Sequence, residues 1–86
     1  MRVTIISPDR SLYDGDATSV VAPAFDGEVG ILPRHAAFVT LLGHGRLVVR
    51  QGERTSTFTV RGGFLQVRDD VVRVVTEDAE GEIHAS

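Results

Sequence analysis

The 86-residue sequence predicts an all-β domain, and three observations carry that expectation. The chain holds thirteen Val and seven Thr, many of them clustered, and such β-branched side chains are stiff at the first torsion and fit a pleated surface better than a helix. Gly and Pro punctuate the chain every eight to twelve residues, the spacing of short strands in a sandwich or barrel. No stretch before residue 77 carries a helical period.

The elements follow in order. Arg2–Ile6 reads as a strand that stops at Ser7-Pro8, because the residue before proline is held extended and proline cannot donate to a ladder. Ser11–Tyr13 and Ala17–Ala22 come next, either parted by a turn at Asp14-Gly15-Asp16 or joined as one strand with a bulge at Gly15. Asp26-Gly27 turns the chain into Glu28–Leu32, Pro33 stops it, and Phe38–Leu41 is a further short extended piece.

The second half is cleaner. Leu47 and Val49 alternate with Arg46 and Arg50 across His44–Arg50, the pattern of a half-buried strand. Gln51-Gly52-Glu53 closes a hairpin onto Arg54–Val60, and Gly62-Gly63 interrupts the pattern. It resumes over Phe64–Arg68, where Leu65 and Val67 alternate with Gln66 and Arg68. Asp69-Asp70 then turns into Val71–Thr76, whose near-continuous β-branched run reads as a central strand covered on both faces. From Glu77 the composition becomes acidic and small, so a β-domain over residues 1–78 is expected to end in a flexible acidic tail over residues 79–86.

Length and composition bound the function. One core is all that 86 residues build, and a domain of this size buries only about 60–65% of its unfolded surface, so a partner that adds to its stability is an expectation. There is no cysteine, which removes disulfides, thiolate metal sites and a thiol nucleophile. The net charge is −3 and the nine basic residues, all Arg, lie scattered from Arg2 to Arg73, so nucleic acid is not an expected partner. No secretory leader is visible, which suggests the cytoplasm, and no apolar stretch is long enough to span a membrane.

Catalytic chemistry finds little support. His35 and His44 sit on separate segments, His84 falls in the tail, and no His-x-His or His-Glu-x-x-His spacing occurs, so no metal is expected. There is no Gly-x-Ser-x-Gly elbow. Gly27-Glu-Val-Gly30 and Arg61-Gly62-Gly63 precede no helix that could receive a phosphate, so they read as turns and no nucleotide or other cofactor is expected. The stretch from Gly27 to Phe38 packs apolar residues around Glu28, Arg34 and His35, a mixture more typical of a contact surface than of a catalytic one.

That same stretch, Gly27-Glu28-Val29-Gly30-Ile31-Leu32-Pro33-Arg34-His35-Ala36, resembles the Gly-Glu-Leu-Gly-Ile-Tyr-Pro-Gly-His-Ala signature of the epsilon subunit of F-type ATP synthases. Three further passages are similar and in order: Val3 to Asp9 with Tyr13-Asp14-Gly15, the Ala22-Pro23 step, and Arg61-Gly62-Gly63-Phe64-Leu65-Gln66-Val67 with Val71–Thr76. The resemblance spans residues 2–78.

The resemblance implies a ten-stranded β-sandwich of two five-stranded sheets at the foot of the rotor. It implies a non-catalytic subunit on the cytoplasmic face of the bacterial inner membrane. Its partners would be the gamma subunit and the c-ring loops, with proton-driven rotation coupled to ATP synthesis. By position, Glu28, Val29 and Gly30 match the c-ring-facing surface, and Ser7, His35 and Thr40 the gamma-facing one. Arg34 and Ala37 depart from the usual Gly and Pro of the signature. Family members continue into a two-helix hairpin that senses ATP. Ser86 ends this sequence before any such helix, so no bound ATP is expected. A free-standing β-sandwich that binds carbohydrate or peptide is the alternative, although four Phe, one Tyr and no Trp supply few aromatic platforms.

Overall fold

The computed structural model describes residues 1–85, with side chains described through Glu80. Ten strands follow one another: β1 (Arg2–Ser7), β2 (Arg10–Asp16), β3 (Ser19–Ala24), β4 (Gly27–Ile31), β5 (Phe38–Leu41), β6 (His44–Gln51), β7 (Arg54–Arg61), β8 (Phe64–Arg68), β9 (Val71–Val75) and β10 (Asp78–Ala85). They form two five-stranded sheets, ordered β2-β1-β9-β8-β5 (sheet 1) and β10-β7-β6-β3-β4 (sheet 2), as the resemblance implies. No helix occurs among the described residues.

Alternation makes the core. Val3 and Ile5 of β1, Leu65 and Val67 of β8, and Val72 and Val74 of β9 point inward from sheet 1 and are buried. Val20, Leu47, Val49, Phe58 and Val60 meet them from sheet 2. Tyr13 of sheet 1 sets its ring edge-on to Phe58 of sheet 2, centroids 6.1 Å apart, a favoured aromatic geometry that ties the layers together. The chain crosses between the sheets five times, and next to edge strand β5 the layers are tied by an Ala24–Leu42 bridge and by Phe25 N donating to Leu41 O at 3.1 Å.

Turn chemistry fixes the registers. Asp69 and Asp70, at φ 52° and 62°, are the two loop residues between the paired Arg68 and Val71, which is a type I′ hairpin turn. Gly52, at φ 61°, is the first loop residue between Gln51 and Arg54, the II′ pattern. Gly63 leads into β8 at φ 100°, and a methyl group there would overlap the Val75 carbonyl, so glycine alone fits.

Four expectations need correction. Asp14-Gly15-Asp16 is no turn: these residues pair with Thr4, Val3 and Arg2 in the β1–β2 ladder, and an Arg2–Asp14 contact of 2.6 Å closes that end. The turn lies at Ala17-Thr18, held by Ala17 N to Met1 O (2.8 Å) and Thr18 N to Arg50 O (2.7 Å). A bulge does exist in β2, yet Leu12 is its extra residue, since Ile5 faces Tyr13 while Ile6 faces Ser11.

Strand β9 is central, lying parallel to β1 and antiparallel to β8, but only one of its faces is covered. Val72 and Val74 are fully buried, whereas Arg73 is exposed and Val71 is 39% exposed. It stops at Val75. Thr76 turns away, buried, with its hydroxyl 3.0 Å from the Gly62 carbonyl and 3.1 Å from that of Asp78.

The tail expected from residue 79 is instead the greater part of a strand, for Asp78–Ala85 pairs along the whole of β7. Backbone pairing explains the difference. The outer edge of β7 offers unpaired N–H and C=O groups, and a segment satisfies them whatever its side-chain polarity. Ala79 turns inward and is buried.

Candidate partner-binding faces

The two sheets leave two outer faces, and the registers define both. On sheet 1, Leu41 stands opposite Phe64, Phe64 opposite Val75, and Val75 opposite Ile6, giving one apolar row across four strands. Leu41 is 62% and Phe64 39% exposed. Phe25, 69% exposed at the β3–β4 turn, continues the row past its β5 end. The next row reads Val39, Gln66, Arg73, Thr4 and Asp14, and the third reads Arg68, Val71, Arg2 and Asp16.

The outer face of sheet 2 differs. Its rows pair Arg61 with His44, Thr59 with Arg46, Thr57 with Val48 and Thr55 with Arg50. Val21 and Ser19 of β3 extend the last two of these rows. Arg46, Arg50 and Thr59 are exposed. Arg61 approaches Asp78 at 3.9 Å, and exposed pairs of that length contribute little. Phe25 apart, the large exposed apolar side chains among the described residues lie on sheet 1 or on the β4–β5 loop, so the surface is polarised.

The structure separates the residues singled out from the sequence. Glu28 and Gly30 point outward from β4, the edge strand of sheet 2, opposite Pro23 and Val21. Between them Val29, opposite buried Ala22, turns inward and packs partly buried against the core. Glu28 and Gly30 are therefore the accessible members of that trio.

Ser7 lies at the far end of β1, its hydroxyl donating to Asp9 Oδ1 at 3.0 Å. Thr40 lies on the β5 edge opposite buried Leu65, so its side chain has the inward phase and is half-buried. Its hydroxyl is 3.3 Å from the Leu41 carbonyl. His35 occupies the loop before β5, at the opposite end of sheet 1 from Ser7, with its ring 4.9 Å from that of Phe38 and Nδ1 2.8 Å from Ala36 O. These three residues do not converge; they border the outer face of sheet 1 at its two ends and along one edge.

The Arg34 departure has a structural meaning. His35 N donates to Leu32 O at 3.2 Å, Pro33 is the first central residue and Arg34 sits at φ 67°, which together make a type II turn. That position favours glycine, and here Arg34 is held by its N–H donating to Asp70 Oδ1 at 2.9 Å.

Leu41, Phe64, Val75, Ile6 and Arg73 went unmarked as site residues. Their signal was partly present: the alternation that buries Leu65 and Val67 puts Phe64 in the outward phase. What the sequence withholds is the register that lines the four apolar side chains up. Among the described residues no three His, Cys, Asp or Glu side chains gather as a metal site. No described helix is long and apolar enough to cross a membrane.

Comparison with known proteins agrees with the fold. The family model for the β-sandwich domain of the ATP synthase delta/epsilon chain matches residues 1–82. The ATP synthase epsilon chain of Leptospira borgpetersenii is 43% identical over 77 residues, covering 90% of this chain and 61% of its own length. That of Acidithiobacillus ferridurans is 44% identical over 78 residues, 91% of this chain and 55% of its own. The sequence thus spans about three-fifths of the length of such relatives.

Among solved structures, a chain of the Euglena gracilis mitochondrial ATP synthase (OSCP/F1/c-ring) superposes with a TM-score of 0.85 at 27% identity, over 92% of this chain and 51% of that one. A chain of the Tetrahymena thermophila mitochondrial ATP synthase central stalk and c-ring shares the fold, with a TM-score of 0.77 at 20% identity over 92% of this chain and 64% of that one. This chain belongs to the ATP synthase delta/epsilon family and carries its β-sandwich domain.

Proposed function

We propose that the chain is a central-stalk rotor subunit that fastens the gamma subunit to the membrane c-ring, so that proton-driven rotation of the ring reaches the ATP-synthesising sites. It makes and breaks no bond itself and works by holding two partners in register. The observation that carries this reading is the apolar row Leu41–Phe64–Val75–Ile6 on the outer face of sheet 1, in which Leu41 and Phe64 are exposed and Val75 and Ile6 half-buried. A small domain that exposes aligned apolar side chains on one face and a polar surface on the other has a face for a partner.

On this reading gamma covers the outer face of sheet 1, with Ser7 and His35 hydrogen-bonding it at the two ends and Thr40, whose side chain has the inward phase, reached only around the open β5 edge. Glu28 and Gly30 on the β4 edge meet the polar loops of the c-ring, with Val29 supporting them from within. Each contact needs a standard interface of about 800 Å² per partner to hold under torque. The complex then sits against the cytoplasmic face of the bacterial inner membrane, attached through the ring. Family membership leaves the free-standing ligand module without support.

Size-exclusion chromatography of the chain with purified gamma at micromolar concentration checks the reading. Co-elution as a one-to-one complex is the expected result. Separate elution at every ratio tried overturns it.

A further inference from the structure

Three arginines lie on the outer face of sheet 1, and two of them have carboxylate partners. Arg2 meets Asp14 at 2.6 Å, and Arg68 approaches Asp69 at 3.6 Å. Arg73 has no carboxylate partner among the described residues, although it stands nearest the middle of the face. Gln66 and Thr4 flank it across the strands, and Val71 and Val75 flank it along β9. A shallow depression lined by Gln66, Arg68, Asp69, Val71 and Arg73 opens beside it. A guanidinium placed centrally, with apolar neighbours and without an internal partner, is the kind of group that anchors an interface once water is excluded.

The dimensions of the face suit a helix laid across the strands. The apolar row crosses four strands, three spacings of about 4.8 Å or roughly 14 Å in all. An α-helix rising about 1.5 Å per residue covers that length in about ten residues, three turns. Arg73 lies one row away, two residues along β9 from Val75, a displacement of about 7 Å. A helix about 10 Å across, seated on the apolar row, carries its flanking positions over that neighbouring row.

We infer that the partner segment on sheet 1 is an amphipathic helix lying across the strands, its apolar stripe on Leu41–Phe64–Val75–Ile6 and a flanking Asp or Glu paired with Arg73. This rests on the reading above that gamma is the partner, and it adds the element, its direction and the charge that gamma presents. The carboxylate and guanidinium meet at the boundary between apolar contact and solvent, where a bidentate pair fixes register as well as adding affinity.

The test is affinity for purified gamma, measured by interferometry on folded variants checked by circular dichroism. Arg73→Glu should weaken binding by about two orders of magnitude, since it removes a charge-assisted pair and sets like charges together. Arg73→Lys should recover only part of the affinity that Arg73→Glu loses, because the positive charge stays but the bidentate fork does not. Arg46→Glu on the opposite sheet should bind as the native chain does. Raising salt from about 0.05 to about 0.5 M should weaken the native complex more than that of Arg73→Ala.

Native affinity for Arg73→Glu, together with loss of binding in Phe64→Asp, overturns the inference and leaves gamma on this face. Native affinity in both variants, or no binding by the native chain, overturns the gamma reading and the inference with it.

Discussion

The inner and outer surfaces of the two sheets stand in contrast. Inside, the sheets are alike: Val, Leu and Ile alternate inward from both, with Phe58 and Tyr13 joining them, and neither sheet dominates the core. Outside, sheet 2 shows a column of Thr on β7 beside arginines on β6, while sheet 1 shows an apolar row with Leu41 and Phe64 exposed. Folding accounts for the inner faces, because burial of those side chains is what holds a domain of this size together. It does not account for the outer difference, since polar residues would serve sheet 1 equally well as far as the core is concerned. The proposed partner on sheet 1 accounts for that asymmetry.

The largest expected effects test the shared interior. Phe58→Ala on sheet 2 and Leu65→Ala on sheet 1 should each lower unfolding free energy by about 3 kcal/mol, as deletion from a close-packed core does. Urea titration followed by circular dichroism measures both. If one costs less than about 1 kcal/mol, the sheets do not contribute alike.

The outer faces should separate next. Phe64→Asp is expected to weaken gamma binding about 100-fold, or about 2.7 kcal/mol, while shifting stability by less than about 1 kcal/mol. Arg50→Glu on sheet 2 should change neither quantity beyond about 0.5 kcal/mol. Equal losses from the two variants would erase the contrast.

A smaller effect concerns the β4–β5 loop, one of those that carry the chain from sheet 2 to sheet 1. Arg34→Gly relieves the positive φ of the type II turn and should raise stability by about 1 kcal/mol. It leaves both outer faces intact, so gamma affinity should stay native. A loss of affinity would add Arg34 itself to the docking surface, beside His35 on the same loop.

The same division explains what could be read in advance. Strand existence is local, and the alternation of Leu47 with Val49 and of Leu65 with Val67 was enough to place β6 and β8 and their inward residues. The Asp69-Asp70 and Gln51-Gly52-Glu53 turns were legible because their residue types tolerate positive φ. Pairing is not local. Asp14-Gly15-Asp16 has turn composition, yet β1 lies alongside and takes it into a ladder. The acidic run from Asp78 lacks any apolar period, yet the free edge of β7 recruits it.

Coverage is the least local property of all. The Val71–Val75 run looks buried on both faces in any one-dimensional reading, and only the arrangement of sheets shows one face open. The candidate site suffered most from this. Glu28 is exposed on the β4 edge while Val29 beside it turns inward, and the apolar row emerges only when four strands are in register.

Hydroxyl-radical footprinting of the chain, free and bound to gamma, with labelling read residue by residue in a mass spectrometer, tests the polarised-surface account most directly. Protection of Leu41 and Phe64, with Val21 and Val48 labelled equally in both states, is the predicted result. Protection of Val21 and Val48 with Leu41 and Phe64 unchanged would contradict it.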